Sequence, residues 1–421
     1  MLLKEKLRLN NPWTQNFISG VILFLTVGIY LAVIGLGAGG GKASSAHVAT
    51  ITYTSIYAVF AVTGFFGGSI MNTLGPRWTM TIGSLGYPLY IASLWYYDVT
   101  GHEWFPLMAG VFGGAGAGLL WTVSGFIHWN TIESSFKTWH TRATMIVSPR
   151  KIIREDGTHL AVFTATEFRT ELKGCVELLK DWRIVALIVP MIATEMSSAL
   201  IPTLSAYSFN LRTRSLNNVL FWAIQIPATF LYGLVLDNSR FRRRIRGLTA
   251  LSIALVMVII SWSLSIIIQV KHHLKRDLPS PAWDWTDSAF VEFSIMVIFT
   301  GISYAIDQMV VMWVISSFSN EPRLLARYGG FFKGMLSAGL CIAFGMESGK
   351  VSYLNQTITQ SVLMIISFPI MYYIVMKCVL DTNYFTEDNV IPPQHVGSEK
   401  VQILNIEDSE GKADGEVINL D

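Results

Sequence analysis

Ten apolar runs of about twenty residues decide what this chain can become: 17–37, 49–74, 78–97, 105–127, 183–207, 217–236, 247–270, 290–316, 326–346 and 357–380. A helix rising ~1.5 Å per residue needs about twenty residues to cross the ~30 Å hydrocarbon core of a bilayer. Within lipid each backbone N–H and C=O must be satisfied by the segment itself, so the runs predict an all-α integral membrane protein. The composition fits: 52% of residues are hydrophobic, 14% are charged, and the charges gather between the runs.

That reading settles the first nucleotide-like motif. Gly35, Gly37 and Gly40 spell G-x-G-x-x-G, a pattern that holds a pyrophosphate only between a strand and a helix N-terminus. Here it follows an uncharged stretch of membrane-spanning length, Phe17 to Gly35, so a loop leaving a transmembrane helix is expected. Gly41-Lys42 is followed by Ala43, which lacks the hydroxyl that a Walker loop places on magnesium. No cofactor is expected. Cys175, Cys341 and Cys378 are too scattered for a disulfide framework or a metal site, and the eight histidines have no ligand spacing. No nucleophile and base constellation occurs, and the segments outside the runs are too small for a catalytic domain, so an enzyme is not expected.

Charge between the runs sets an orientation. With the N-terminus in the cytosol, the cytosolic tail and loops before residue 330 hold nineteen Lys and Arg, and the opposite loops hold seven. RFRRRIR at 240–246 is then a topological signal between two spans and implies no nucleic-acid partner; the partner of the chain is the lipid bilayer. Both termini are expected in the cytosol. Asn355 in Asn355-Gln356-Thr357 falls in a loop on the other side, where it is a glycosylation candidate.

The chain divides into a four-span bundle at 1–127, a cytosolic linker at 128–182, a six-span bundle at 183–380 and an acidic, disordered tail at 381–421. Within the linker Phe168, Leu172, Val176 and Leu179 recur at helical spacing behind a capping box at Thr164 and Glu167, which predicts a short amphipathic helix.

Two loops repeat a motif: GSIMNTLGPR at 68–77 and GLVLDNSRFR at 233–242. Both resemble the G-x-x-x-D-R-x-G-R-R loop of the major facilitator superfamily. The first copy keeps Gly68, Gly75 and Arg77 but has Asn72 in place of the acid; the second keeps Gly233, Asp237 and Arg242. NPWTQ at 11–15, FNLRTRSLNNVLFW at 209–222, ARYGGFFKG at 326–334 and DTNYF at 381–385 together resemble the fungal Unc-ninety-three-like branch of that superfamily. The resemblance implies two helical halves around a central cavity, with the loop motifs latching the cytosolic gate. Some relatives of this kind are classed as transporters by fold and others as regulators of membrane proteins, and fold alone does not choose between them.

Polar residues within the runs add site candidates, because each is costly in lipid unless it faces protein or water. Glu195 sits near the middle of its run and suits a proton-coupling role; Gln225 lies two residues before Pro227, lining a cavity or capping a kink; Asp307 and Lys333 are on successive runs and are expected to pair. Gly110, Gly114 and Gly118 form one face of small residues for close helix packing.

Only four spans separate the two loop motifs, where two six-helix halves would place six. The first half is therefore expected to lack two spans, with the break within 128–146, through an alternative transcript or an imperfect gene model. The leading functional expectation is a secondary transporter of a small solute. Its alternative is a non-transporting adaptor that regulates or escorts another membrane protein.

Overall fold

The structure is a computed structural model that describes residues 12–35, 46–132, 168–238 and 240–381. The expectations for the glycine loop after Gly35, the capping box at Thr164 and Glu167, and the acidic tail after Asp381 lie outside those residues, as does much of the 128–146 break. Regular structure among the described residues is helical, apart from one isolated bridge between Phe209 and Trp283.

The first five helices are α1 (Pro12–Gly35), α2 (Ala46–Leu74), α3 (Pro76–Ser84), α4 (Gly86–Thr100) and α5 (Trp104–Ile132). A short helix, α6, spans Phe168–Glu177. Six long ones follow: α7 (Trp182–Ser208), α8 (Leu211–Leu236), α9 (Arg243–Lys271), α10 (Ser288–Ser316), α11 (Pro322–Ser348) and α12 (Tyr353–Cys378).

Eight of the described helices are long and apolar enough to cross a membrane, namely α2, α5 and α7–α12, where the sequence suggested ten. α1, an apolar helix of 24 residues, carries the first run, of which Ile18–Ile34 falls within the residues described in full. The run at 78–97 is divided between α3 and α4 at Leu85. Pro88 explains the division: with no N–H it cannot bond to the Ser84 carbonyl, and the Leu85 N–H turns to Ile82 instead, at 3.2 Å.

Two apolar cores result. One is built from α1–α5 with Met196 and Ala199 of α7 and Ala326, Leu340, Ala343 and Phe344 of α11. The other fills the space between α7 and α12. α7 and α11 thus belong to both.

Glycines set the spacing between these bodies. A Cβ on Gly64 would fall 2.9 Å from the Gly334 nitrogen, one on Gly68 2.6 Å from the Ala326 oxygen, and one on Gly330 2.7 Å from the Gly64 oxygen. The contacts are backbone on backbone, so α2 and α11 touch along a seam that no larger residue fits. The face of Gly110, Gly114 and Gly118 on α5 packs in the same way against the other side of α2, where a Cβ on Gly114 would come within 2.3 Å of the Ile56 oxygen.

Candidate functional site

Between the two cores, above the glycine seam, lies a cavity of about 220 Å³. α1 contributes Tyr30, α2 Tyr57, α4 Tyr87 and Tyr90, α5 Trp121, α7 Glu195, α8 Trp222 and Gln225, α10 Tyr304 and Gln308, and α11 Lys333. Two charges therefore meet a largely aromatic wall.

Glu195 reaches the cavity from an irregular turn of α7. The Ala199 N–H bonds to the Met196 oxygen at 3.2 Å, a tightened turn, and the freed Glu195 carbonyl accepts from the Ser198 hydroxyl at 2.8 Å. Its carboxylate accepts from the Tyr304 hydroxyl at 2.8 Å and from Gln308 Nε2 at 2.5 Å. Tyr304 and Gln308 are four residues apart on α10, the spacing that stacks side chains on one helical face.

Lys333 holds its ammonium 4.5 Å from the centre of the Trp121 ring and 5.4 Å from that of Phe332. Glu195 is a carboxylate within electrostatic range, yet no ion pair within 4.0 Å joins them. The expected pairing of Lys333 with Asp307 does not form. Asp307 is directed into a separate small chamber with Thr194, Ser197, Ser261, Thr300 and Ser303, where Oδ2 accepts from the Ser303 hydroxyl at 2.7 Å and Oδ1 has no partner. Successive helices brought the two residues near in sequence order, but they present different faces.

Gln225 both lines the cavity and spans an irregularity in α8, its Nε2 donating to the Phe221 oxygen at 3.0 Å where α8 breaks at Ile224. Tyr57 of the cavity wall is stacked on Phe344, with ring centres 5.6 Å apart.

Beneath the seam, the first loop motif acquires the acid it lacks from elsewhere. Glu171 of α6 is fully buried; its Oε2 accepts from Asn72 Nδ2 at 2.9 Å and from Arg327 Nε and Nη2 at 3.1 and 2.9 Å. A Cβ on Gly174 would overlap the Arg327 guanidinium, so glycine lets α6 lie against that side chain. Ser69 and Cys175 add a contact of 2.9 Å. α6 thereby straps α2 to α11. Gly75 takes φ +79° at the turn between α2 and α3, which suits glycine alone, while Arg77 is exposed and lies 5.9 Å from the Trp78 ring centre.

The second motif copy makes no such strap. Gly233 has nothing closer to its would-be Cβ than 3.5 Å, Arg242 is exposed ahead of α9, and Asp237 lies in the field of Arg246. Asn355 falls in the first turn of α12, not in a loop, and Thr357 of its sequon is buried and bonded to Gln269 at 2.6 Å. The loop expected there is replaced by a helix start because the Ser352 hydroxyl caps it, accepting from the Asn355 N–H at 3.2 Å.

Comparison with known proteins adds the family context. Residues 45–151 match the family model described as ion channel regulatory protein UNC-93. An uncharacterized membrane protein of Schizosaccharomyces pombe is 36% identical over 82% of this chain and 80% of its own length. A UNC93-like protein of the same yeast is 29% identical, covering 92% of this chain and 87% of the relative, and UNC93-like protein 1 of Arabidopsis thaliana is 28% identical, covering 90% and 93%. The alignment with the yeast UNC93-like protein runs over 439 positions although 92% of a 421-residue chain is only about 387, so about fifty of its positions have no counterpart here.

Proposed function

The chain belongs to the UNC-93 family of multi-pass membrane proteins, and on that footing we propose that it is a non-transporting adaptor that regulates or escorts another membrane protein. The observation that carries the reading is the bare flank of α8. Only 22% of its most apolar stretch is buried against protein, compared with 39–61% for the other seven long helices. Ile226, Phe230, Leu231 and Leu234 stand 74, 64, 61 and 54% exposed along it.

About fifty residues that relatives have and this chain lacks are enough for two spans and a loop. A first half short of two spans leaves a lateral flank that transmembrane helices of a partner can cover. Lipid covers an apolar flank as well as protein does, so a partner must gain from shape and packing, for which α8 offers the large side chains of Ile226, Phe230, Leu231 and Leu234. The family description, an ion channel regulatory protein, supports the same reading. The orientation that goes with it places the N-terminus, the linker and the tail on the cytosolic side, following the distribution of Lys and Arg.

Secondary transport of a small solute, on a major facilitator type of scaffold, is the second reading. The charged cavity favours it, with Glu195 as its proton-coupling group. The two are separated by photo-crosslinking from benzoylphenylalanine placed at Ile226 or Phe230, with Ile366 on α12 as the control face. The adaptor reading expects one discrete membrane-protein adduct shared by the two α8 positions and missing from Ile366. Adducts independent of position, together with solute uptake that Glu195→Gln abolishes in a correctly localised protein, would establish transport instead.

A further inference from the structure

We propose that the cavity between the two cores binds a small zwitterion, an α-amino acid with an apolar or aromatic side chain. This stands on the cavity alone and does not require the adaptor reading. Glu195 and Lys333 line one void, carry opposite charges and interact across it, yet no ion pair within 4.0 Å joins them. Two buried charges that could lower their energy by contact are instead held apart, Glu195 by Tyr304 and Gln308 and Lys333 over the Trp121 ring. The space between them suits a molecule that brings both complementary charges.

The unused bonding capacity agrees. Each Glu195 oxygen accepts one hydrogen bond and keeps a lone pair for an ammonium group. The Lys333 ammonium is met by ring faces and has N–H groups left for a carboxylate. A ligand with a single charge would leave the cavity with a net buried charge, whereas a zwitterion leaves its balance unchanged. Tyr30, Tyr87, Tyr90 and Trp222 provide the wall for an apolar or aromatic side chain. The buried hydroxyls of Tyr30 and Tyr90, whose neighbours are the phenols of Tyr57 and Tyr53, add polar capacity at the same wall.

The test is calorimetric titration of the full chain in lipid nanodiscs with L-tryptophan and L-leucine, beside tryptamine and indole-3-propionate, which each keep one of the two charges. At least one amino acid is expected to bind, and each single-charge indole to bind about tenfold or more weakly than L-tryptophan, since hydrogen bonds to charged groups are worth at least that factor. Lys333→Met and Glu195→Gln are expected to remove binding while thermal unfolding stays cooperative. Because the comparison of ligands uses the unaltered chain, it decides the matter even where a variant fails to fold. Absence of heat from both amino acids at roughly 10 mM, far above any useful affinity, or equal binding of tryptamine or indole-3-propionate, would overturn the proposal.

Discussion

Glu171 and Arg327, 156 residues apart in the chain, meet at 2.9 Å below the glycine seam, and the pair ties the linker helix to both helical bodies at once. The carboxylate is fully buried and the guanidinium 19% exposed. Removing one partner from such a pair leaves the other charge uncompensated. Arg327→Ala is expected to destabilise the docked state of α6 by ~3 kcal/mol, seen as faster amide exchange across 168–177. Glu171→Gln, which removes the buried charge and keeps an acceptor for Asn72, is expected to lose less.

Asn72→Asp restores the acid that the loop motif has in the superfamily, and here it is expected to harm. Asn72 donates to Glu171, which aspartate cannot do, and a second carboxylate would face the first across about 3 Å. The expected loss is ~3 kcal/mol of α6 docking near neutral pH, recovered in the double variant Asn72→Asp with Glu171→Gln. Exchange protection of α6 in the three variants checks it.

The seam between α2 and α11 has little room to yield. Gly334→Ala puts a methyl within 2.8 Å of the Ala61 oxygen and 2.9 Å of the Phe65 nitrogen. Gly345→Ala, on the same helix, meets nothing within 4 Å. Thermal unfolding in detergent is expected to show a loss of ~2–3 kcal/mol for the first, in the range of overpacked cores, and little change for the second.

Asp237 offers a pH signature outside the spans. Burial pushes its carboxyl up from the ordinary 3.8 to about 6, with Arg246 pulling part of the way back. The folded chain therefore holds this proton more tightly than the unfolded one, and the stability this confers is present below pH ~4 and lost as pH rises through 6. Asp237→Asn is expected to raise stability at pH 7 by about 1 kcal/mol, a value reduced for partial solvent screening, and to have no effect at pH 4. Melting curves at the two pH values measure it.

Much of this architecture is legible in one dimension because lipid imposes a length on each apolar run. Eight runs became helices that meet the length and hydropathy of a span, the first run forms the 24-residue α1, and the 78–97 run is divided at Leu85 ahead of Pro88. Glu195, Gln225 and Lys333 stood out because charge and amide groups are costly in lipid, and the structure gathers all three at one cavity. Its aromatic lining did not stand out, since Tyr30, Tyr90 and Trp222 look like any span residues until their three helices converge. Gln308 could have been found from its four-residue step after Tyr304. The pairing of Asp307 with Lys333 fails because order along the chain says nothing about which face of α10 an acid occupies. The strap by Glu171 was hidden for a related reason. A helical period in the linker announces α6, but only the fold shows that its acid lands beside Asn72, opposite Arg327.

The adaptor reading is tested most directly on the partner itself. Once the protein crosslinked from Ile226 and Phe230 is identified, its abundance at its own membrane and, for a channel, its ion current are compared in cells with and without this chain. The account predicts that loss of the chain changes the partner's abundance or current and that re-expression restores it, with no solute flux through the purified chain in proteoliposomes. An unchanged partner beside measurable flux through the purified chain would contradict it.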